Sequence, residues 1–366
     1  MRTRGAVLTE VGGPLEVLDL ELDPPGPGEV LVRVGATGLC HSDLSVIDGS
    51  RVRPLPMLLG HEAAGEVVET GPGASDFAPG DRVALSFVPA CGSCRRCVSG
   101  RQALCEPGAA ANREGTLLGG GRRLRLPDGT RPHHHLGVSG FAEYAVVSEK
   151  SATLVPADLP FEVAALFGCA VLTGAGAAFY SAAVAPGDRV AVFGLGGVGL
   201  AALLAARAAG ASRVIAVDVV GHKRELARRL GATDDVPGGP DAVAHVRDLT
   251  GGGADKVIDT TGVAAVLEQA YLATAAGGTT VTVGLPHPDR TITLPALSLV
   301  AEERTLKGSY LGSCVPRRDV PRFVELYRAG RLPVSELLSG SLPLEEINTG
   351  FARLASGEAV RQVVVM

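Results

Sequence analysis

The stretch RVAVFGLGGVGLAALLAARAAG, residues 189–210, decides the fold. Its opening residues, Val190, Ala191, Val192 and Phe193, form a short apolar run suited to a buried strand. Gly194, Gly196, Gly197 and Gly199 follow, with Val198 inside the turn, and then an Ala/Leu-rich run that closes at Gly210. Strand, glycine turn and helix in that order are what a dinucleotide-binding turn requires. Glycine lets backbone N–H groups approach a pyrophosphate at a helix N-terminus, where the partial positive charge favours an anion. A second apolar run, 214–217, ends at Asp218, about 20 residues beyond the glycines, where a carboxylate can bind ribose hydroxyls. The same carboxylate repels a 2′-phosphate, so NAD is expected and not NADP.

On the C-terminal side of this stretch the chain alternates. A helix at 221–230, a strand at 256–259, a helix at 264–275 and a strand at 279–284 are expected, with 291–294 and 305–310 as a closing edge. Strands alternating with helices predict an α/β architecture with a doubly wound parallel sheet. Further on, two helical runs, 319–329 and 344–354, precede a strand at 360–365. On the N-terminal side, residues 1–88 are short β-prone runs (30–34, 65–68, 81–85) broken by Gly and Pro, the pattern of a mainly antiparallel β domain. A strand resumes over 140–147. There is no internal repeat and no low-complexity segment.

A chain of 366 residues exceeds one ordinary core, which predicts two domains. At a net charge of −5 its basic residues are dispersed, and the densest cluster, Arg122, Arg123 and Arg125, is short and lacks interleaved aromatics, so no nucleic-acid partner is expected. Residues 163–187 carry no charge and reach membrane-span length. Their repeated Gly, Ser and Thr, and Pro186-Gly187 directly before the dinucleotide strand, predict buried helices instead, with no membrane partner. The N-terminus leads into a strand-like run without an apolar signal core, so a cytoplasmic setting is expected. In a reducing compartment the seven cysteines read as metal ligands rather than disulfides.

Cys91, Cys94, Cys97 and Cys105 crowd into one segment. Four thiolates are the ligand set of a closed tetrahedral zinc site whose work is to pin a loop. The segment 112–136 is polar and irregular, and its His133, His134, His135 triplet reads as a loop or strand entry, because three adjacent histidines cannot all point at one metal from a regular element. Two polar islands interrupt the β domain, Cys40-His41-Ser42-Asp43 and Gly60-His61-Glu62, and Cys169 stands alone beyond it. One His and two Cys around zinc, with the fourth position open, are a set known from alcohol dehydrogenase.

With these motifs on view, the chain resembles the zinc-dependent medium-chain dehydrogenase/reductase superfamily, alcohol dehydrogenase type. The resemblance spans nearly the whole length: Cys40 to Asp43 match its first metal segment, Gly60 to Glu62 the second, and Phe167-Gly168-Cys169 through Thr173 and Gly174 the third. The four-cysteine segment matches its structural zinc lobe in order and spacing. The resemblance implies two zinc ions per chain, catalytic at Cys40, His61 and Cys169 and structural at Cys91, Cys94, Cys97 and Cys105. It implies a GroES-like catalytic domain over 1–171, completed by 313–366, and a Rossmann NAD-binding domain over 172–312.

The implied reaction is reversible hydride transfer between NAD and a primary, secondary or aromatic alcohol held at zinc. Ser42 would relay the alcohol proton, although it also reads as a turn serine; many relatives carry a histidine three residues further on, where this chain has Ser45. Asp43 would orient His61 from behind. Glu62 would approach the metal or stay solvated or salt-bridged. His41 and Arg361 match phosphate-contacting positions, Thr173 belongs to the third matched segment, and Lys223 matches a ribose-contacting lysine, while Lys223, Arg224, Arg228 and Arg229 read equally as an exposed helix face. Cys314 is left with a small, buried apolar role.

Around the first metal segment, Ser50, Arg51 and Arg53 offer no acidic residue, which disfavours a glutathione-linked formaldehyde reaction. A specialised biosynthetic or thiol-adduct dehydrogenase on the same scaffold is the alternative. A non-catalytic NAD-binding protein would have no chemical reason to keep Cys40, Ser42, His61 and Cys169 together. The expected partners are a small alcohol or aldehyde and a second copy of the chain, as a homodimer or homotetramer.

Overall fold

The computed structural model describes all residues, Met1–Met366, in two compact units. The first comprises Met1–Cys169, Val315–Val324 and Leu338–Met366; the second comprises Ala170–Cys314 and Glu325–Leu337.

In the first unit the strand Glu29–Gly38 is central to a seven-stranded sheet, pairing antiparallel with Ala63–Thr70, Tyr144–Ser148 and the C-terminal strand Gln362–Val365. Its side chains alternate as the pleat demands: Val30, Val32 and Val34 enter one core cluster with Val67, Val83 and Val147, while Leu31 joins another with Leu20, Leu22 and Leu58. A smaller sheet holds Arg2–Leu8, Glu16–Leu22, Met57–Leu58, Leu124–Arg125 and His133–His134. Within the segment expected to be irregular, the helix Glu106–Glu114 ends on Gly115, and the two short strands Leu124–Arg125 and His133–His134 edge the smaller sheet.

The second unit is a six-stranded, all-parallel sheet in the order Asp234–Pro237, Arg213–Asp218, Arg189–Phe193, Ala254–Asp259, Thr274–Thr282, Thr305–Gly308. Numbered within the unit, that order is 3-2-1-4-5-6, the Rossmann arrangement, with the change of direction beside the glycine turn. Ala191, Phe193, Ile215 and Val217 pack on one face with Val246 and Ala270 of the flanking helices, and the intervening Val190, Val192, Val214 and Ala216 are buried on the other. Burial on both faces explains why these strands read as continuous apolar runs.

Three expectations change here. Residues 291–294 form no strand, and the edge is Thr305–Gly308 alone: Pro286, Pro288 and Pro295 deny the stretch regular backbone pairing. The strand Asp234–Pro237 and the helix Ala242–Thr250 enlarge the sheet beyond the sequence pattern. Residues Glu325–Leu337, expected with the catalytic domain, belong to the dinucleotide unit, where Leu332, Val334 and Leu337 are buried and Arg331 donates to the Ala208 carbonyl at 2.7 Å. The uncharged run 163–187 divides into Phe161–Leu166, Ala170–Gly176 and a π-helical turn, Ala177–Ser181, and no helix is long and apolar enough to cross a membrane. Cys314 is fully buried, its thiol donating to the Leu172 carbonyl at 3.3 Å.

Candidate active site and metal centres

Three turns of the first unit bring Cys40, His61 and Cys169 together. Cys40 follows the central strand and caps the helix His41–Ile47 from an extended backbone. His61 sits in the turn between Met57–Leu58 and Ala63–Thr70, and Cys169 closes the unit after the helix Phe161–Leu166. One ligand atom from each lies within 4.8 Å of the others, and all three side chains are buried.

The Cys40 thiol is held well below its ordinary range, first by the hydrogen bond with Cys169 and then by the charge of His61, against the opposing effect of burial. Burial alone would lower the His61 imidazole, yet the charges of Asp43 and Cys40 carry it up to about 10. The buried cluster therefore favours positive charge, which a dication can supply. Two sulfurs and an imidazole are a borderline-soft donor set that suits zinc.

Behind His61, the fully buried Asp43 accepts from the Gly60 N–H at 3.1 Å and pairs with His61 Nδ1 at 3.0–3.1 Å. Burial would raise its carboxyl, but the His61 charge and the close His135 and His61 imidazoles hold it far below the usual range. With Nδ1 committed to Asp43, His61 turns Nε2 toward the thiols. Phe87 stands edge-on to His61 with ring centroids 5.6 Å apart.

The expected site residues divide. Ser42 is half-buried in the first turn of the helix His41–Ile47, and His41 is exposed beside it. Ser45 spends its hydroxyl on the His41 carbonyl at 2.8 Å. Glu62 and Arg361 are both buried and form an ion pair with each other, and Arg361 also donates to the Leu39 carbonyl at 3.0 Å. Their contact braces the C-terminal strand against the segment that carries Cys40.

His135 is the residue that pattern reading missed. The triplet disperses to three partners: His133 Nδ1 reaches the Glu114 carbonyl at 3.0 Å, His134 Nε2 accepts from the Arg123 N–H at 3.1 Å, and His135 Nδ1 lies 3.1 Å from Asp43 Oδ1. Histidine placed next to a strand of alternating faces was the only signal in the sequence.

Cys91, Cys94, Cys97 and Cys105 also converge within 4.8 Å. Backbone N–H groups point at the sulfurs, from Cys94 to Cys91 at 3.3 Å and from Cys91 and Gly108 to Cys105 at 3.2 and 3.4 Å. Burial would raise Cys91, but hydrogen bonds from the backbone of Cys94 and Ser93 bring it to about 6; burial pushes Cys97 up to about 12. Four thiols so close fit one shared cation.

In the second unit Gly194 takes a φ of +87°, and a side chain on Gly199 would run into the Gly194 carbonyl oxygen. A Cβ on Gly196 would meet nothing within 4 Å, which leaves a cradle at the N-terminus of the helix Gly197–Ala208. Val198 lies in the first turn of this helix, and Thr173 is buried on Ala170–Gly176. Asp218 ends its strand with a half-buried carboxylate, and Lys223 is 8% exposed on the helix Gly221–Arg229, away from the exposed face made by its basic neighbours.

Comparison with known proteins agrees with this geometry. Residues 26–157 match the alcohol dehydrogenase GroES-like domain and residues 197–329 the zinc-binding dehydrogenase family. The chain is 41% identical over its full length to an NDMA-dependent alcohol dehydrogenase of Amycolatopsis methanolica, 99% of which is covered. It is 38% identical to an alcohol dehydrogenase class-3 of Cereibacter sphaeroides, with both chains covered completely. The crystal structure of benzyl alcohol dehydrogenase from Acinetobacter calcoaceticus superposes with a TM-score of 0.95 at 34% identity, over 100% of this chain and 99% of that one. The chain belongs to the zinc-dependent alcohol dehydrogenases of the medium-chain dehydrogenase/reductase superfamily.

Proposed function

We propose that this dehydrogenase transfers hydride reversibly between NAD and a small or aromatic alcohol, with the matching aldehyde or ketone as product. The convergence of Cys40, His61 and Cys169, with Asp43 behind the imidazole, carries this reading. Zinc held by those three residues supplies a Lewis acid that lowers the pKa of the substrate hydroxyl toward neutrality, and NAD supplies the hydride acceptor. The named benzyl alcohol dehydrogenase supports an aromatic substrate.

The side chains do the rest. Ser42 takes the alcohol proton through its hydroxyl. Because the Ser45 hydroxyl is bonded to the His41 carbonyl of its own helix, the relay from Ser42 does not continue through Ser45. Asp43 holds the His61 tautomer, and the Glu62–Arg361 pair steadies the Cys40 segment. That buried pairing supports a positioning role for Glu62 and Arg361, in place of direct contact with metal and phosphate. His41 borders the relay. With NAD bound, Gly194, Gly196, Gly197, Val198 and Gly199 would cradle the pyrophosphate, Asp218 and Lys223 would take the adenosine ribose, and Thr173 would belong to the cofactor site. Cys91, Cys94, Cys97 and Cys105 hold the second zinc and fix their loop.

The working form is a homodimer or homotetramer of identical chains. The edge strand Thr305–Gly308 has a neighbour on one side only, and the helix Ala296–Ala301 beside it in sequence buries none of its residues and exposes Leu297 and Val300. The free cysteines at ligand spacing fit a reducing, cytoplasmic compartment.

Cys169→Ser tests the reading. Turnover of benzyl alcohol should fall to background, NADH binding measured by fluorescence should stay within about three-fold, and metal content should drop from about two zinc per chain to one. Undiminished turnover would sink the proposed zinc site.

A further inference from the structure

We propose that His135 is a positioning residue for the catalytic metal site: together with His61 it clamps the Asp43 carboxylate, and so fixes the direction in which His61 presents its ligand nitrogen. The inference rests on Cys40, His61 and Cys169 being the metal ligands. It adds a second imidazole behind them.

The geometry has three parts. First, Asp43 is fully buried and its Oδ1 lies 3.1 Å from the Nδ1 of both His61 and His135. Gly60, His61 and His135 all meet Oδ1, and His61 Nδ1 also lies 3.0 Å from Oδ2, so His135 adds a contact on the carboxylate from a separate element. Secondly, the His135 and His61 rings meet edge-on, centroids 5.6 Å apart and planes at 88°. The two rings therefore reach the carboxylate from different directions. Thirdly, the backbone around His135 is tied to the segment that carries His61. The strand His133–His134 pairs with Met57–Leu58, the His135 N–H donates to Ser139 Oγ at 2.9 Å, and Ser139 Oγ donates to the Leu58 carbonyl at 3.0 Å. Gly140 and Phe141 donate to the carbonyls of Gly60 and Leu59. The backbone that carries His135 is thus tied to the segment that carries His61.

Its function follows from the donor count. Both imidazoles turn Nδ1 toward Asp43, the carboxylate can only accept, and the His61 lone pair is left on Nε2, facing Cys40 and Cys169. Replacing the His135 imidazole removes the 3.1 Å contact of its Nδ1 with Asp43 Oδ1, which loosens the carboxylate and through it His61, and weakens metal binding, typically about 10–100-fold for a lost outer partner.

The test is zinc release from the intact chain into a colorimetric chelator. His135→Phe keeps a ring and loses the donor; His135→Asn keeps an amide N–H near the Nδ1 position; His135→Gln carries its amide further out, near Nε2. His135→Phe and His135→Gln should release one of two zinc ions about 10–100-fold faster than the unaltered chain, with the other unchanged. His135→Asn should stay within about three-fold of it. Equal release rates for Asn and Gln overturn the proposal, as does an unaltered rate in His135→Phe. If His135→Phe does not fold, the Asn and Gln pair decides alone. Cys169→Ser run in parallel separates the two readings: if that variant still binds two zinc ions, the metal site itself is misassigned and the role of His135 falls with it.

Discussion

At Asp218 both carboxylate oxygens accept backbone N–H groups, Oδ2 from Leu195 in the glycine turn at 2.7 Å and Oδ1 from Val220 at 2.8 Å. In the proposed function each oxygen retains a further lone pair for a ribose hydroxyl, and the carboxylate charge would repel a 2′-phosphate. Asp218→Ser removes that charge. The kcat/KM preference for NAD over NADP should fall at least about ten-fold, through KM for NADP, in steady-state kinetics with both cofactors; an unchanged preference would remove Asp218 from cofactor selection. Asp218 was legible because the end of a second apolar strand is a fixed place in this fold. Glu62, Arg361 and His135 were less so. Glu62 sits beside a ligand in sequence, but its partner lies 299 residues away, and the distance from Asp43 to His135 is likewise closed only by strand pairing.

The glycine turn does not stand alone as an element. Thr260, just beyond the strand Ala254–Asp259, donates from its hydroxyl to the carbonyls of Phe193 and Gly194, at 3.2 and 3.0 Å. The buried Asp259 accepts from the N–H and hydroxyl of Thr261 and from the hydroxyl of Thr282, which holds the next strand end in place. Burial raises the Asp259 carboxyl above its usual range, a cost these three donors oppose. Thr260→Val removes the brace and keeps the shape. About 1–2 kcal/mol of lost hydrogen bonding should weaken NADH binding about 5–30-fold in fluorescence titration, with zinc content unchanged. Strands buried on both faces showed in the sequence as apolar runs. The strand Asp234–Pro237 did not, because only Val236 of its four residues is buried.

On the scale of the whole molecule, the two edges of the parallel sheet differ. Asp234, Asp235 and Pro237 blunt one edge against further pairing, whereas Thr305–Gly308 is uncharged apart from Lys307, whose amine is drawn off to the Ser181 carbonyl at 3.0 Å. Leu297 at 77% and Val300 at 79% exposure add apolar surface in the same segment. Light scattering after gel filtration should give the mass of two chains or of four. Leu297→Glu with Val300→Glu should raise the dimer dissociation constant at least about ten-fold, since each change leaves a charge to be desolvated. A wild-type mass of one chain at micromolar concentration would overturn the pairing.

The sequence by itself determined the glycine turn, the acid behind it and the spacing of the four cysteines, because each of these is a local pattern whose physical reason lies within a few residues of itself. It also determined that a hydrophobic run followed by glycine and then by an alanine-rich helix belongs to a parallel sheet. Tertiary structure alone decided which side chains meet. Cys40, His61 and Cys169 come from three separate turns, Arg361 finds Glu62 across most of the chain, and His135 reaches Asp43 because a two-residue strand pairs beside Met57–Leu58. Such contacts depend on strand register and on the exclusion of water from the space the strands enclose, and neither is written in any single window of residues.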